Sequence, residues 1–188
     1  MAAREDRGSG LAGVAEAARQ APGRGLPPVH LWNPPHCGDI DILIRRDGVW
    51  MHEGSPIGRP ELVRLFSTVL RKDPDGYCLV TPVEKLTLRV EDLPFRAVAV
   101  EARGDDLVFT TDVGDEVEAG PDFPVVVETD PVTEEPAPRV RVRADLWARI
   151  SRPVFYQMVE MAGVEGDRLT VRSKGAAFPL GPAGAGLS

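Results

Sequence analysis

The chain has 188 residues, 43% of them hydrophobic, and a formal net charge of −7. That length allows one ordinary domain or two small ones, and the negative charge argues against a broad surface for nucleic-acid polymers while leaving small anions open as partners. No segment approaches the roughly 18 consecutive apolar residues that a membrane-spanning helix needs.

Nineteen glycines and eighteen prolines, without a repeat period, point to many short elements joined by turns. Arg4 and Arg7 precede an apolar run that Glu16 and Arg19 break. An export signal does not tolerate that, so a cytoplasmic location with Cys37 and Cys78 as free thiols is expected. Residues 1–28 read as a flexible tail, with a short helix over 11–20 where Leu11, Val14, Ala15 and Ala18 recur at helical spacing. Within it, 22–28 is linker-like because its prolines and glycines sustain neither regular element.

From Asp39 the period changes to two: Ile40, Ile42 and Ile44 point one way, and Asp39, Asp41 and Arg45 the other. Gly38 marks a turn ahead of this strand. Asp47-Gly48 predicts a tight hairpin returning through 49–52. After a loop over 54–58, Pro60 opens a helix with an apolar stripe of Leu62, Val63, Leu65, Phe66, Val69 and Leu70. Pro74-Asp75-Gly76 ends it.

Short strands follow at 77–80, 86–90, 96–101, 107–111 and 125–128. A polar, proline-bearing stretch over 130–138 separates them from a strand at 139–143. A second helix covers 153–162 and stops at Gly163, followed by a strand at 169–172. Arg59-Pro60 and Arg152-Pro153 each open an apolar-striped helix followed by a turn and a strand, which suggests an internal duplication. The expected fold is α+β: two similar small domains, each an antiparallel sheet with a packed helix. The N-terminal α+β domain covers 29–85, the β-rich C-terminal domain with its helix covers 86–181, and 182–188 form a disordered tail.

The blocks PPVHLWNPPHCGDIDILI, EGSPIGRPELVRLFSTVLR, TPVEKL, VGDEVEAG, RPVFYQMVE and FPLG occur in that order over residues 26–181. Together they resemble a bacterial family of uncharacterised proteins. The resemblance implies a duplicated helix-plus-sheet core, a C-terminal domain like a pleckstrin-homology barrel, and a ligand site between the halves. It also implies a nucleotide-like ligand and a role in signal transduction. Pro35-His36 stands where the family pattern has an acidic residue followed by an aromatic one, so His36 is not expected to be a family-wide catalytic group.

The residue types allow three kinds of site. His30, His36, Cys37, Asp39, Asp41, His52 and Glu53 are of metal-ligand type, but no diagnostic spacing joins them. Neither a metal nor a cofactor is expected. Asp39 and Asp41 share a strand face about 7 Å apart and could act as an acid–base pair, yet no nucleophile elbow or phosphate-cradling glycine loop occurs. The binding reading is the fullest. Arg139, Arg141 and Arg143 alternate with valines and should share one face, where planar guanidinium forks suit phosphate or carboxylate. Arg152 at the second helix start adds a positive dipole end. Thr81, Glu84 and Lys85 lie in the TPVEKL loop, and Tyr156 and Trp32 could flank a ligand ring.

The leading expectation is a cytoplasmic regulatory or sensory module binding a small anionic, nucleotide-like ligand through Asp39, Asp41, Thr81, Glu84, Lys85, Arg141, Arg143, Arg152 and Tyr156. A metal-assisted or thiol hydrolase centred on Cys37, Asp39, Asp41 and His52 is the first alternative. The second is a protein-interaction scaffold that docks an unknown partner through edge strands or the 11–20 helix.

Overall fold

The computed structural model describes residues 10–20 and 25–184, which divide into two compact units, Met1–Asp92 and Leu93–Ser188. A division between residues 85 and 86, as the sequence suggested, would cut a strand: Glu84–Val90 is continuous and hydrogen-bonded on both sides. Among the described residues no helix is long and apolar enough to cross a membrane.

The first unit contains α1 (Leu11–Arg19), β1 (His36–Ile44), β2 (Trp50–His52), β3 (Ser55–Pro56), α2 (Pro60–Ser67), β4 (Leu70–Asp73), β5 (Gly76–Val80) and β6 (Glu84–Val90). β1 follows the alternation closely: Ile42 and Ile44 are fully buried while Asp39 and Asp41 are exposed. It begins earlier than expected, so Gly38 lies inside the strand, opposite Leu86 of β6, and not in a turn before it. The Asp47-Gly48 hairpin forms as read, with Gly48 at φ 89 and the Asp47 carboxylate accepting from the Val49 amide.

α2 is shorter than its apolar stripe. The Ser67 and Thr68 hydroxyls donate back to the carbonyls of Arg64 and Leu65, and the last amides bond three residues back, so the helix tightens and stops. Val69 and Leu70 remain buried, but Leu70 now begins β4, which hairpins onto β5 through Pro74-Asp75. Phe66, on the helix face that points inward, is fully buried, which contributes about 2 kcal/mol of hydrophobic stabilisation. α1 is docked rather than loose: it packs on α2 and buries Val14, Ala15 and Ala18. Of the expected tail over residues 1–28, residues 1–9 and 21–24 lie outside the described residues.

The second unit contains β7 (Phe95–Arg103), β8 (Asp106–Thr111), β9 (Glu116–Glu118), β10 (Val125–Thr129), β11 (Pro136–Arg143), β12 (Leu146–Ile150), α3 (Arg152–Met161), β13 (Gly163–Glu165), β14 (Arg168–Ser173) and β15 (Ala176–Pro182). The stretch 130–138 is a hairpin, not a separator. The Asp130 carboxylate caps the Val132 and Thr133 amides, and Pro136–Pro138 pair with Val127–Thr129. Proline is tolerated there because β12 pairs only from Arg139 onward, leaving that part of β11 an edge on its other side. β13, β14 and β15 form a separate three-stranded sheet, of which only the strand at 169–172 was foreseen. Pro182 closes β15, so the expected C-terminal tail starts later, and residues 185–188 lie outside the described residues. Buried Ser173 ties this sheet to the larger one: its hydroxyl accepts from the Leu107 amide and donates to the Ala119 carbonyl.

The two large sheets are mixed, not antiparallel. β1 runs parallel to β6, and β7 parallel to β12. Their strand orders are β3-β2-β1-β6-β5-β4 and β10-β11-β12-β7-β8-β9. Each sheet is therefore two three-stranded meanders joined by parallel pairing of its first and sixth strands. The helices that open on Arg59-Pro60 and Arg152-Pro153 stand at different steps of that order: α2 links the two meanders of its sheet, whereas α3 follows both and packs on β7 and β14.

Candidate functional site

The second sheet carries a cationic face. Along β11, Val140 and Val142 are buried while Arg139 and Arg141 point to the opposite side; along β12, Leu146, Ala148 and Ile150 are buried while Trp147 and Arg149 take that same side. The registers Arg139↔Arg149, Arg141↔Trp147 and Arg149↔Arg96 bring Arg96, Arg149, Arg139, Arg141 and Trp147 together on adjacent strands.

Arg143 does not belong to that face. A bulge between Arg141 and Arg143 puts two residues of β11 against one of β12, so Arg143 pairs with Leu146 on the core side. There its guanidinium lies 5.1 Å from the centre of the buried Phe95 ring and donates to Asp115 at 2.7 Å. The expected row of three β11 arginines is thus two on one face and one on the other.

The other residues of the face are anchored differently. Arg139 donates to Glu128 at 2.9 Å and lies 4.8 Å from the Trp147 ring centre. Arg149 donates to the backbone carbonyls of Ala137 and Pro138, which the proline edge leaves open. The Arg96 amide donates to the Asp112 carboxylate. Arg141 lies 5.1 Å from the Trp147 ring and has no ion pair among the described residues. Among the described residues, the buried Nε atoms of Arg139 and Arg141 have no acceptor. Such stacking orients a guanidinium while leaving its terminal donors directed outward.

The other predicted residues are dispersed. Thr81 and Glu84 are buried and complete each other's turn: the Thr81 hydroxyl accepts from the Glu84 amide and donates to its carbonyl. Lys85 is committed to Asp73 at 2.8 Å and Asp75 at 3.1 Å. Asp73 is also gripped by Arg71 through both carboxylate oxygens, and Arg71 reaches on to the carbonyls of Val29 and Trp32. The hydrogen bond from Arg71, helped by Lys85 and opposed by desolvation, holds the Asp73 carboxyl down at about 2. The same bonds raise Arg71 and Lys85. This cluster is a clamp between the Val29–Trp32 segment and the sheet, with its donors spent.

Asp39 and Asp41 line an open depression of about 430 Å³ with Ile40, Thr87, Leu88 and Arg89, and Asp41 pairs with Arg89 at 2.9 Å. Arg152 pairs with Glu135, and Tyr156 is exposed on α3. Cys37 is exposed, whereas Cys78 is buried and its thiol is pushed up to about 11 by desolvation. Among the described residues no three His, Cys, Asp or Glu side chains converge as a metal site, so Cys37, Asp39, Asp41 and His52 are not gathered into one.

Trp147, Arg149 and Arg96 were not singled out from the sequence. ADLWARI does alternate large polar-tipped with apolar residues, and that is the signal that could have been read. Their convergence with β11 depends on register and on the parallel β7–β12 pair, which no local pattern shows.

The fold and this face define a protein of two mixed-sheet units, the second bearing an arginine–tryptophan surface. The chain belongs to the DUF1285 family: residues 27–93 match its N-terminal domain, described as a domain of unknown function, and residues 94–180 match its C-terminal domain, described as a protein of unknown function. Among solved structures it is similar to a DUF1285 family protein from Silicibacter pomeroyi DSS-3, with 47% identity and a TM-score of 0.81 over 91% of this chain and 96% of that one. A DUF1285 family protein from Shewanella baltica OS155, 24% identical, shares the fold with a TM-score of 0.52 over 63% of this chain and 90% of that one. No curated protein matches the chain.

Proposed function

We propose that this chain is a cytoplasmic regulatory or sensory binding module for a small anionic, nucleotide-like ligand, serving in signal transduction. One observation carries the reading: Arg141, on a sheet face beside Trp147, has no carboxylate partner among the described residues. In a chain of net charge −7, an arginine held against an aromatic ring and left without a counter-ion suits an anion that also presents a flat surface. The shared strand order of the two large sheets supports an origin by duplication. The β-rich second unit with its helix is compatible with a pleckstrin-homology-like relation, which is part of the same proposal.

Calorimetric titration with a panel of adenine and guanine nucleotides tests the reading. Saturable heat with at least one of them, lost in Arg141→Ala while the fold is retained, is the expected result. A panel that produces neither heat nor a shift in melting temperature overturns it.

A further inference from the structure

The parallel ladder between β1 and β6 is broken once. Asp39 stands opposite Thr87 and Leu43 opposite Arg89, so Ile40, Asp41 and Ile42 of β1 face the single Leu88 of β6. Extra residues in one strand of a pair bend it and disrupt the ladder locally, and such bulges re-aim the side chains beside them. The open depression of about 430 Å³ lies at this break, lined by Asp39, Ile40, Asp41, Thr87, Leu88 and Arg89. Its volume falls within the ~300–1,000 Å³ of small-molecule sites. Leu88, 5% exposed, and the half-buried Ile40 supply its apolar lining. Of its three charged groups, Asp41 and Arg89 offset each other at 2.9 Å in a well-exposed pair. The Asp39 carboxylate has no hydrogen bond or ion pair among the described residues. Lys85, two residues before Thr87 on β6, is held by Asp73 and Asp75. The depression thus carries one uncompensated negative charge beside apolar surface.

A cation with an apolar body complements both features: its N–H donors make a charge-assisted hydrogen bond to the carboxylate, and its body covers Ile40 and Leu88. A metal ion gains nothing from the apolar lining, and no three metal-binding side chains converge among the described residues. An anion would meet two carboxylates against one guanidinium. We infer that the break in the β1–β6 ladder binds a small organic monocation, a primary amine or guanidine with an apolar body, with Asp39 as its counter-ion. The site lies in the first unit and takes the charge opposite to that proposed for Arg141, so it stands or falls independently of the anion-binding reading.

NMR titration of the full chain with benzylamine, 1,4-diaminobutane, benzyl alcohol and benzoate tests the site. Benzylamine, protonated at neutral pH, should give saturable amide shifts at residues 39–41 and 87–89. It should bind about tenfold or more tighter than neutral benzyl alcohol, the scale of one charge-assisted contact, and benzoate should leave those amides unmoved. Asp39→Asn should erase the preference for the amine, and Asp39→Glu should keep part of it; the side chain is exposed, so neither change disturbs the core. Arg89→Gln, which leaves Asp41 without its partner, should raise affinity for both amines, and more for the diamine. Arg141→Ala should change nothing. No saturable shift with either amine overturns the inference, as does equal binding of benzylamine with benzyl alcohol or with benzoate. So does amine binding that survives Asp39→Asn or weakens in Arg89→Gln.

Discussion

Arg71 in the first unit and Arg141 in the second are both part-buried arginines on sheet strands, yet their surroundings are opposite. Arg71 places its donors on Asp73 and on two backbone carbonyls, and Asp73 in turn holds Lys85. Arg141 meets an aromatic ring and no carboxylate among the described residues. The first arrangement turns charge into local order; the second keeps charge available. Residue type does not distinguish them, and only the partners do.

That contrast can be broken in several ways. Asp73→Ala strips the counter-ion from two cations at once and should lower unfolding free energy by about 2–3 kcal/mol in chemical denaturation. A loss below about 0.5 kcal/mol would mean the clamp is ordinary surface charge. Arg71→Ala should cost about 2 kcal/mol and speed amide hydrogen exchange selectively across residues 29–32, since it releases the carbonyls of Val29 and Trp32. Unchanged exchange there would show that something else anchors the segment.

Acid sharpens the comparison further. The folded Asp73 carboxyl sits at about 2, below the roughly 3.9 of an unfolded aspartate. The folded state therefore binds fewer protons, its contribution is fully present above about pH 4, and it is lost as pH falls towards 2. After allowance for solvent screening this is about 1 kcal/mol. It should be visible as a steeper acid limb in wild type than in Asp73→Asn; identical limbs would remove the assignment. Arg141→Ala should change stability least, by under about 0.5 kcal/mol, because no ion pair is broken. A thiol titration completes the contrast: Cys37 should alkylate quickly in the folded protein, and Cys78, with its thiol raised to about 11 beside the clamp, only after unfolding.

Much of the first unit was legible locally. Alternating isoleucines set β1, Asp47-Gly48 set its hairpin, and Pro60 with its apolar stripe set the start of α2. The end of that helix was misread because Val69 and Leu70 are buried either way, and burial does not reveal which backbone state delivers it. The 130–138 stretch was misread for a related reason. Its prolines argue against a central strand, and nothing nearby in the chain shows that β12 stops short of them. Of the candidate site, Arg141 was legible as one of an alternating row. Arg143 was wrongly placed in that row because strict alternation cannot register a bulge.

The amino-acid sequence by itself determined which segments bury a face, where the tight turns fall, and that arginines cluster before the second helix. These follow from side-chain periodicity and backbone preference, which act over a few residues. Tertiary structure alone decided that β1 pairs parallel with β6 and β7 with β12, that Arg96 and Arg149 align with Arg139 across three adjacent strands, and that Arg143 turns inward to Asp115. Those outcomes depend on hydrogen-bond register between strands far apart in the chain, and a shift of one residue in register exchanges the two faces of a strand.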